Sequence, residues 1–178
     1  MVKIKDSEIN IYLIDDDELL NKILLTKFQQ NTSYNVYTYT SGEDFIKFYN
    51  TLPYPKKQFH IVILDYLLKP LEPVHSAKTG IDYLQQIKQL NSDIQVIIIS
   101  AVDNPDISIQ AQKYGASAFI KKNENAFLRI SNQINFLISE IKLQQAHRRS
   151  LRTRHIFLTL LIVFIVIFVY VFITEFFS

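Results

Sequence analysis

Four near-continuous apolar runs of strand length, separated by segments of helical periodicity, limit the folds open to this chain more than any other feature. They are INIYLI (Ile9 to Ile14), FHIVIL (Phe59 to Leu64), IQVIII (Ile94 to Ile99) and SAFI (Ser117 to Ile120). Strands that are apolar on both sides need cover on both faces, and a parallel sheet between two helix layers provides it. A fifth segment, YNVYTYT (Tyr34 to Thr40), is rich in aromatic and β-branched residues but half polar, and reads as an edge strand.

Helical patterns fill the intervals. Glu18 to Gln29 sets Leu20, Ile23, Leu24 and Phe28 at helical spacing. Ser41 is a suitable cap for a helix reaching Tyr49, with Phe45 and Phe48 or Tyr49 inward. Gly80 to Leu90 carries Ile81, Leu84 and Ile87; Asn104 caps a helix opened by Pro105 and closed by Gly115; a last helix starts near Asn125. The alternation predicts an α/β fold: a doubly wound, five-stranded parallel sheet with right-handed crossovers, in the flavodoxin-like order 2-1-3-4-5.

The last quarter of the 178-residue chain differs in character. Arg148, Arg149, Arg152 and Arg154 crowd before Ile156 to Ile173, a run without charge in which Thr159 and Tyr170 are the polar interruptions. At 1.5 Å per residue this run covers about 27 Å, close to the hydrocarbon thickness of a bilayer. The expected organisation is a soluble domain over residues 1–140, a basic juxtamembrane helical linker over 141–155, a transmembrane helix over 156–174 and a short tail, 175–178, on the far side. No glycine follows Gly115 and no proline follows Pro105, so one helix can run unbroken from about Asn125 to Thr174. Lys3, Lys5 and Asp6 leave no secretory signal at the start, and the arginines flank the span as cytoplasmic, headgroup-contacting residues do. The expectation is a single-pass C-terminal anchor, in contact with membrane lipid, with the soluble domain in the cytoplasm. The absence of cysteine excludes disulfides and thiolate metal sites within the sequence.

In open α/β sheets, ligands bind at the carboxyl ends of the strands. There the first run ends in Asp15 and Asp16, the third strand in Asp65, the fourth in Ser100, and the fifth reaches Lys121 and Lys122. Taken singly, an Asp after a strand is more often a turn or cap, and lysines are more often a solvated edge. Together they make a chemical set. Two carboxylates about 5 Å apart repel by roughly 3 kcal/mol at an effective dielectric near 20, so a cation must compensate. Asp15, Asp16 and Asp65 suit a hard ion such as Mg²⁺. A carboxylate beside such an ion can attack a phosphoryl group in line, with a lysine neutralising the transferred oxygens and the Ser100 hydroxyl bonding to the product.

These residues resemble the receiver domain of two-component response regulators. LIDDDE matches that family's acidic pair at Asp15 and Asp16, VILDYLL its phosphoacceptor at Asp65, and Ser100 followed by Ala101 its hydroxyl position. YGASAFIKK resembles its Gly-Ala element, placing the family's lysine at Lys122 and its switch aromatic at Phe119. The match covers roughly residues 8 to 140. The resemblance implies Mg²⁺ as cofactor, held by Asp15, Asp16, Asp65 and the backbone carbonyl of Leu67. It also implies a histidine kinase or phosphotransfer protein as phosphoryl donor. Asn123 stands where the family usually has proline, and Lys121 stays a second candidate for the lysine role. The segment after Asp65 is longer than usual, with Pro70, Pro73 and a lone His75 read as an exposed loop residue. Leu67 and Val102 flank the path of attacking water and offer no group to orient it, so slow loss of the phosphoryl group is expected.

Leu67 also stands where an Asp-nucleophile phosphohydrolase would carry its general acid, so no turnover of an external substrate is expected. The segment between the last helix of the fold and the apolar run is too short for a helix-turn-helix domain, and nucleic acid is not an expected partner. The chain is expected to act as a membrane-anchored, single-domain response regulator that signals by contact with a downstream protein. The alternatives are a membrane scaffold with a receiver fold and a phosphorelay intermediate. Phe127, Ile130, Ile134, Leu137 and Ile141 form a stripe that covers the sheet or meets a second copy, and Ile141 and Leu143 suggest a homodimer.

Overall fold

The computed structural model describes the backbone of residues 5–52, 58–68 and 78–176, and their side chains apart from 144–156 and 166–176. Strands β1 (Ile9–Ile14), β2 (Asn35–Tyr39), β3 (Phe59–Asp65), β4 (Gln95–Ser100) and β5 (Ala118–Lys121) form one parallel sheet in the order β2-β1-β3-β4-β5. This is the order expected from the strand–helix alternation. Helices α1 (Glu18–Asn31), α2 (Gly42–Thr51), α3 (Gly80–Leu90), α4 (Pro105–Lys113) and α5 (Ala126–Phe176) follow the strands in turn.

The apolar runs become strands because both of their faces are covered. Tyr12, Ile14, Val62, Leu64, Val96 and Ile98 join Phe45 and Tyr49 of α2, Ile81, Leu84 and Ile87 of α3 and Ala111 of α4 in one core cluster. The alternate strand positions Ile11, Leu13, Ile61, Ile63, Ile97 and Ile99 are buried too, as are Leu24 and Phe28 of α1 and Ile130, Ile134 and Leu137 of α5. Each such side chain contributes about 1.5–3 kcal/mol when fully buried. Polar residues set where helices begin: Asp17 Oδ1 accepts from the backbone N–H groups of Leu19 and Leu20, Ser41 Oγ from Asp44 and Asn104 Oδ1 from Asp106. The end of α4 needs Gly115, whose φ is +89°.

On α1 the buried face differs from the expected one by one position. Asn21, Leu24 and Phe28 point inward, Leu20 is half-buried, and Ile23 is exposed. A polar side chain takes an inward place that the apolar pattern would give to Leu20 or Ile23.

The chain divides into two compact units, Ile4–Leu137 and one that holds Ile138–Ser178. The second is helical through Phe176 as the remainder of α5. The expected span over 156–174 lies mostly outside the described side chains. Those described, residues 157–165, are all exposed. Among the described residues no helix is long and apolar enough to cross a membrane. The Arg148 to Arg154 cluster likewise lies outside the described side chains, and Pro70, Pro73 and His75 lie outside the described residues altogether.

Candidate functional site

The register of the sheet brings the polar strand ends together. Asp65 is the last residue of β3 and pairs with Ile99, Ser100 ends β4 and pairs with Lys121, and Asp15 directly follows β1. Hydrogen bonds carry the ladder one step past the strands: Tyr66 N–H donates to Ile99 O (2.8 Å) and Lys122 N–H to Ser100 O (2.7 Å). This fixes Lys122 at the mouth of the sheet. Its Nζ lies 2.7 Å from Asp15 Oδ2 and 2.7 Å from Asp65 Oδ2. Lys121 is directed elsewhere, 2.7 Å from the exposed Asp103, as expected of its opposite side-chain direction along the strand.

Asp15 is 2 % and Asp65 5 % exposed, and Ser100 is fully buried. Burial pushes the Asp65 carboxyl above the ordinary range; the hydrogen bond from Lys122 opposes the shift, the Asp15 charge adds to it, and a backbone hydrogen bond from Leu67 opposes it. For Lys122 burial favours the neutral amine, but hydrogen bonds and charge from Asp15 and Asp65 together outweigh it and raise its pKa. One ammonium thus bridges two buried carboxylates and leaves the cluster net negative. Asp15 Oδ1 accepts from Asp17 N–H (3.0 Å), and Asp15 Oδ2 is held in the ion pair with Lys122 (2.7 Å). One ligand atom from each of Asp15, Asp16 and Asp65 falls within 4.8 Å of the others. Three hard carboxylate donors and a net negative charge fit a divalent cation such as Mg²⁺.

The remaining sequence candidates are placed as follows. Val102 N–H donates to Ser100 Oγ (3.0 Å), so the hydroxyl is held by the β4–α4 loop. Phe119 is half-buried against the core cluster. The side chains of Leu67 and Val102 are exposed. Asn123 turns the chain into α5: its Oδ1 accepts from Asn125 N–H (3.1 Å) and its carbonyl from Ala126 N–H (2.9 Å). Among the described residues no peptide bond is cis.

Two residues beside the site carry no chemistry that would single them out in the sequence. A Cβ on Gly80 would lie 2.4 Å from Asp65 O and 2.8 Å from Tyr66 Cα, so only glycine lets α3 begin against the backbone of Asp65. Gly80 N–H also donates to Tyr66 O (2.7 Å). Asn21 reaches back from α1 to the carbonyl of Asp15. The signal for each was weak but present: a glycine opening a helix, and an amide among apolar residues on a helix.

Comparison with known proteins agrees with this geometry. Residues 11–131 match the response regulator receiver domain family. The transcriptional regulatory protein CssR of Bacillus subtilis is 33% identical over 112 residues, covering 63% of this chain and 44% of CssR. The chain therefore spans less than half the length of that relative. Among solved structures, the receiver domain of a Luxo repressor protein from Vibrio parahaemolyticus superposes with a TM-score of 0.62 at 24% identity, over 76% of this chain and 94% of that one. The response regulator DrrB of Thermotoga maritima gives 0.56 at 25% identity, over 74% and 53%. Receiver domains are phosphoacceptor domains of two-component signalling rather than turnover enzymes, and they interact with histidine kinases or phosphotransfer proteins. With the sheet order, the acidic cluster and the family match in agreement, this chain belongs to the response regulator receiver domain family.

Proposed function

We propose that the chain is a membrane-held receiver in which Asp65 accepts the phosphoryl group. The observation that carries the assignment is the pair of 2.7 Å contacts from Lys122 Nζ to Asp15 and Asp65 at the carboxyl end of the sheet. An Asp65 carboxylate oxygen attacks the phosphorus of a phosphohistidine donor; the new O–P bond forms as the P–N bond breaks and the imidazole leaves. Lys122 moves its positive charge onto the transferred oxygens, and Ser100 Oγ, at the end of the neighbouring strand, hydrogen-bonds to one of them. Asp15, Asp16, Asp65 and the Leu67 carbonyl would hold Mg²⁺, which offsets the charge on those oxygens when bound. Phe119, half-buried on β5 against the core cluster, takes the part of the switch aromatic that the resemblance assigns to it. The exposed Leu67 and Val102 orient no water, and the acyl phosphate is correspondingly long-lived. Labelling with a small phosphodonor and Mg²⁺ tests the assignment: Asp65→Asn takes no label, whereas acid-stable label elsewhere refutes it.

The membrane reading rests on the uncharged run Ile156 to Ile173 behind Arg148 to Arg154. The exposure of every described side chain in 157–165 supports it, since apolar side chains left uncovered by the protein are suited to lipid. Alkaline carbonate extraction should leave the protein in the membrane pellet, and truncation after Leu143 should release it. Release of the intact chain would remove the anchor. Leu143, 72 % exposed within α5, is the position at which two copies would meet, and a cysteine there should crosslink in membranes. Ile141 is half-buried, so crosslinking at 141 should be weaker.

A further inference from the structure

Asn21 is buried to 3 % exposure on the inward face of α1, beside Leu24 and Phe28. A leucine there would give this face a continuous apolar stripe. The amide instead donates through Nδ2 to Asp15 O at 2.7 Å and to Tyr39 O at 3.2 Å. Tyr39 O also accepts the Asp15 backbone N–H at 3.1 Å, so both backbone groups of Asp15 are tied to the end of β2 or to α1. Asn21 Oδ1 is buried without a partner among the described residues. A buried amide oxygen without a partner is unfavourable, a cost that a leucine at this place would not carry.

We propose that Asn21 is a positioning residue for the metal site: by holding the Asp15 carbonyl it fixes the plane of the Asp15–Asp16 peptide and so the direction in which the Asp16 carboxylate leaves the chain. The peptide unit is rigid, and turning its carbonyl turns the next Cα with it. Asp16 lies in the short segment between the end of β1 at Ile14 and the start of α1 at Glu18. Among the described residues, Asn21 supplies the donor that reaches across this gap to the Asp15 carbonyl. The inference rests on the reading of Asp15, Asp16 and Asp65 as the Mg²⁺ site.

Calorimetric titration of the full chain in detergent with MgCl₂ tests it. Asn21→Leu should weaken Mg²⁺ binding about tenfold or more, the usual effect of removing a group that orients a metal ligand. Its thermal midpoint in Mg²⁺-free buffer should change far less than the binding, because leucine fills the inward position and removes the unpaired Oδ1 while leaving the Asp15 carbonyl without its donor. A residue that merely filled space would show the reverse pattern. Asn21→Ser, which keeps one short donor, should also weaken binding and supplies the readout should the leucine variant fail to fold. Binding within about twofold of wild type in either folded variant overturns the role of Asn21. Asp16→Ala in the same titration separates the two levels. If it loses binding while the Asn21 variants do not, the metal site stands and the positioning role is wrong; if it binds like wild type, both fall.

Discussion

The two ends of the sheet solve the same problem in opposite ways. At the amino end, a group of neutral amides pairs without charge: Asn10 Nδ2 donates to Gln58 Oε1 (3.1 Å), and Asn35 Nδ2 donates to Asn10 Oδ1 (3.1 Å) and Ser7 O (3.0 Å). Even the buried His60 has a partner, with Nδ1 3.0 Å from the Tyr12 hydroxyl, and burial holds its imidazole below the usual range, toward the neutral form. At the carboxyl end, Asp15, Asp65 and Lys122 bring charge into the protein, and Asn21 Oδ1 is buried without a partner among the described residues. Neutral, paired amides stabilise a fold; buried net charge leaves room for a cation and an incoming phosphoryl group.

If this contrast is right, perturbing the charged end should cost more than perturbing the neutral one. Lys122→Ala leaves two buried carboxylates facing each other and should destabilise the Mg²⁺-free protein by about 3 kcal/mol in urea unfolding, the effect expected for breaking a buried ion pair. Saturating Mg²⁺ should recover much of that loss, because it binds the native cluster and not the unfolded chain. Gly80→Ala forces a methyl to 2.4 Å from the Asp65 carbonyl oxygen, and about 2 kcal/mol of destabilisation is expected from such overpacking. At the amino end, Asn35→Ala should cost about 1 kcal/mol and leave phosphoryl labelling unchanged. A loss of labelling in Asn35→Ala would erase the distinction between the ends.

The smallest effect concerns pH. The native Asp65 carboxyl titrates above 3.8, its ordinary value, chiefly through burial. Between that value and the raised native one, the folded state binds more protons than the unfolded state. The Asp65 contribution to stability therefore falls as pH rises through this window. In Mg²⁺-free buffer, Asp65→Asn should be less sensitive to pH than wild type from about pH 4 upward, as read by urea midpoints. An unchanged pH profile would show that burial does not set the Asp65 carboxyl.

How much of this was legible in the sequence depends on whether the informative group was a side chain of unusual chemistry. The strand runs and their order were legible because apolar runs on both faces admit few architectures, and β1 falls on Ile9–Ile14 as read. The residues Asp15, Asp16, Asp65, Ser100 and Lys122 were legible because charged and hydroxyl residues end those runs. The inward face of α1 was not: a periodic reading favours Ile23, while hydrogen bonding to two carbonyls selects Asn21. Gly80 escaped for the same reason, since its role lies in the space it leaves beside Asp65. Lys122 was preferred to Lys121 on the resemblance, and the register accords with that order: Lys121 lies opposite Ser100 and its side chain reaches Asp103.

The central claim, that the buried charge at the carboxyl end makes Asp65 the phosphoacceptor, is tested most directly by intact-mass and peptide mapping after incubation with acetyl phosphate and Mg²⁺. A single phosphoryl adduct on the peptide containing Asp65, absent without Mg²⁺ and absent in Asp65→Asn, is the predicted result. An adduct that persists in Asp65→Asn, or that maps to a different residue in the wild-type chain, would contradict the account.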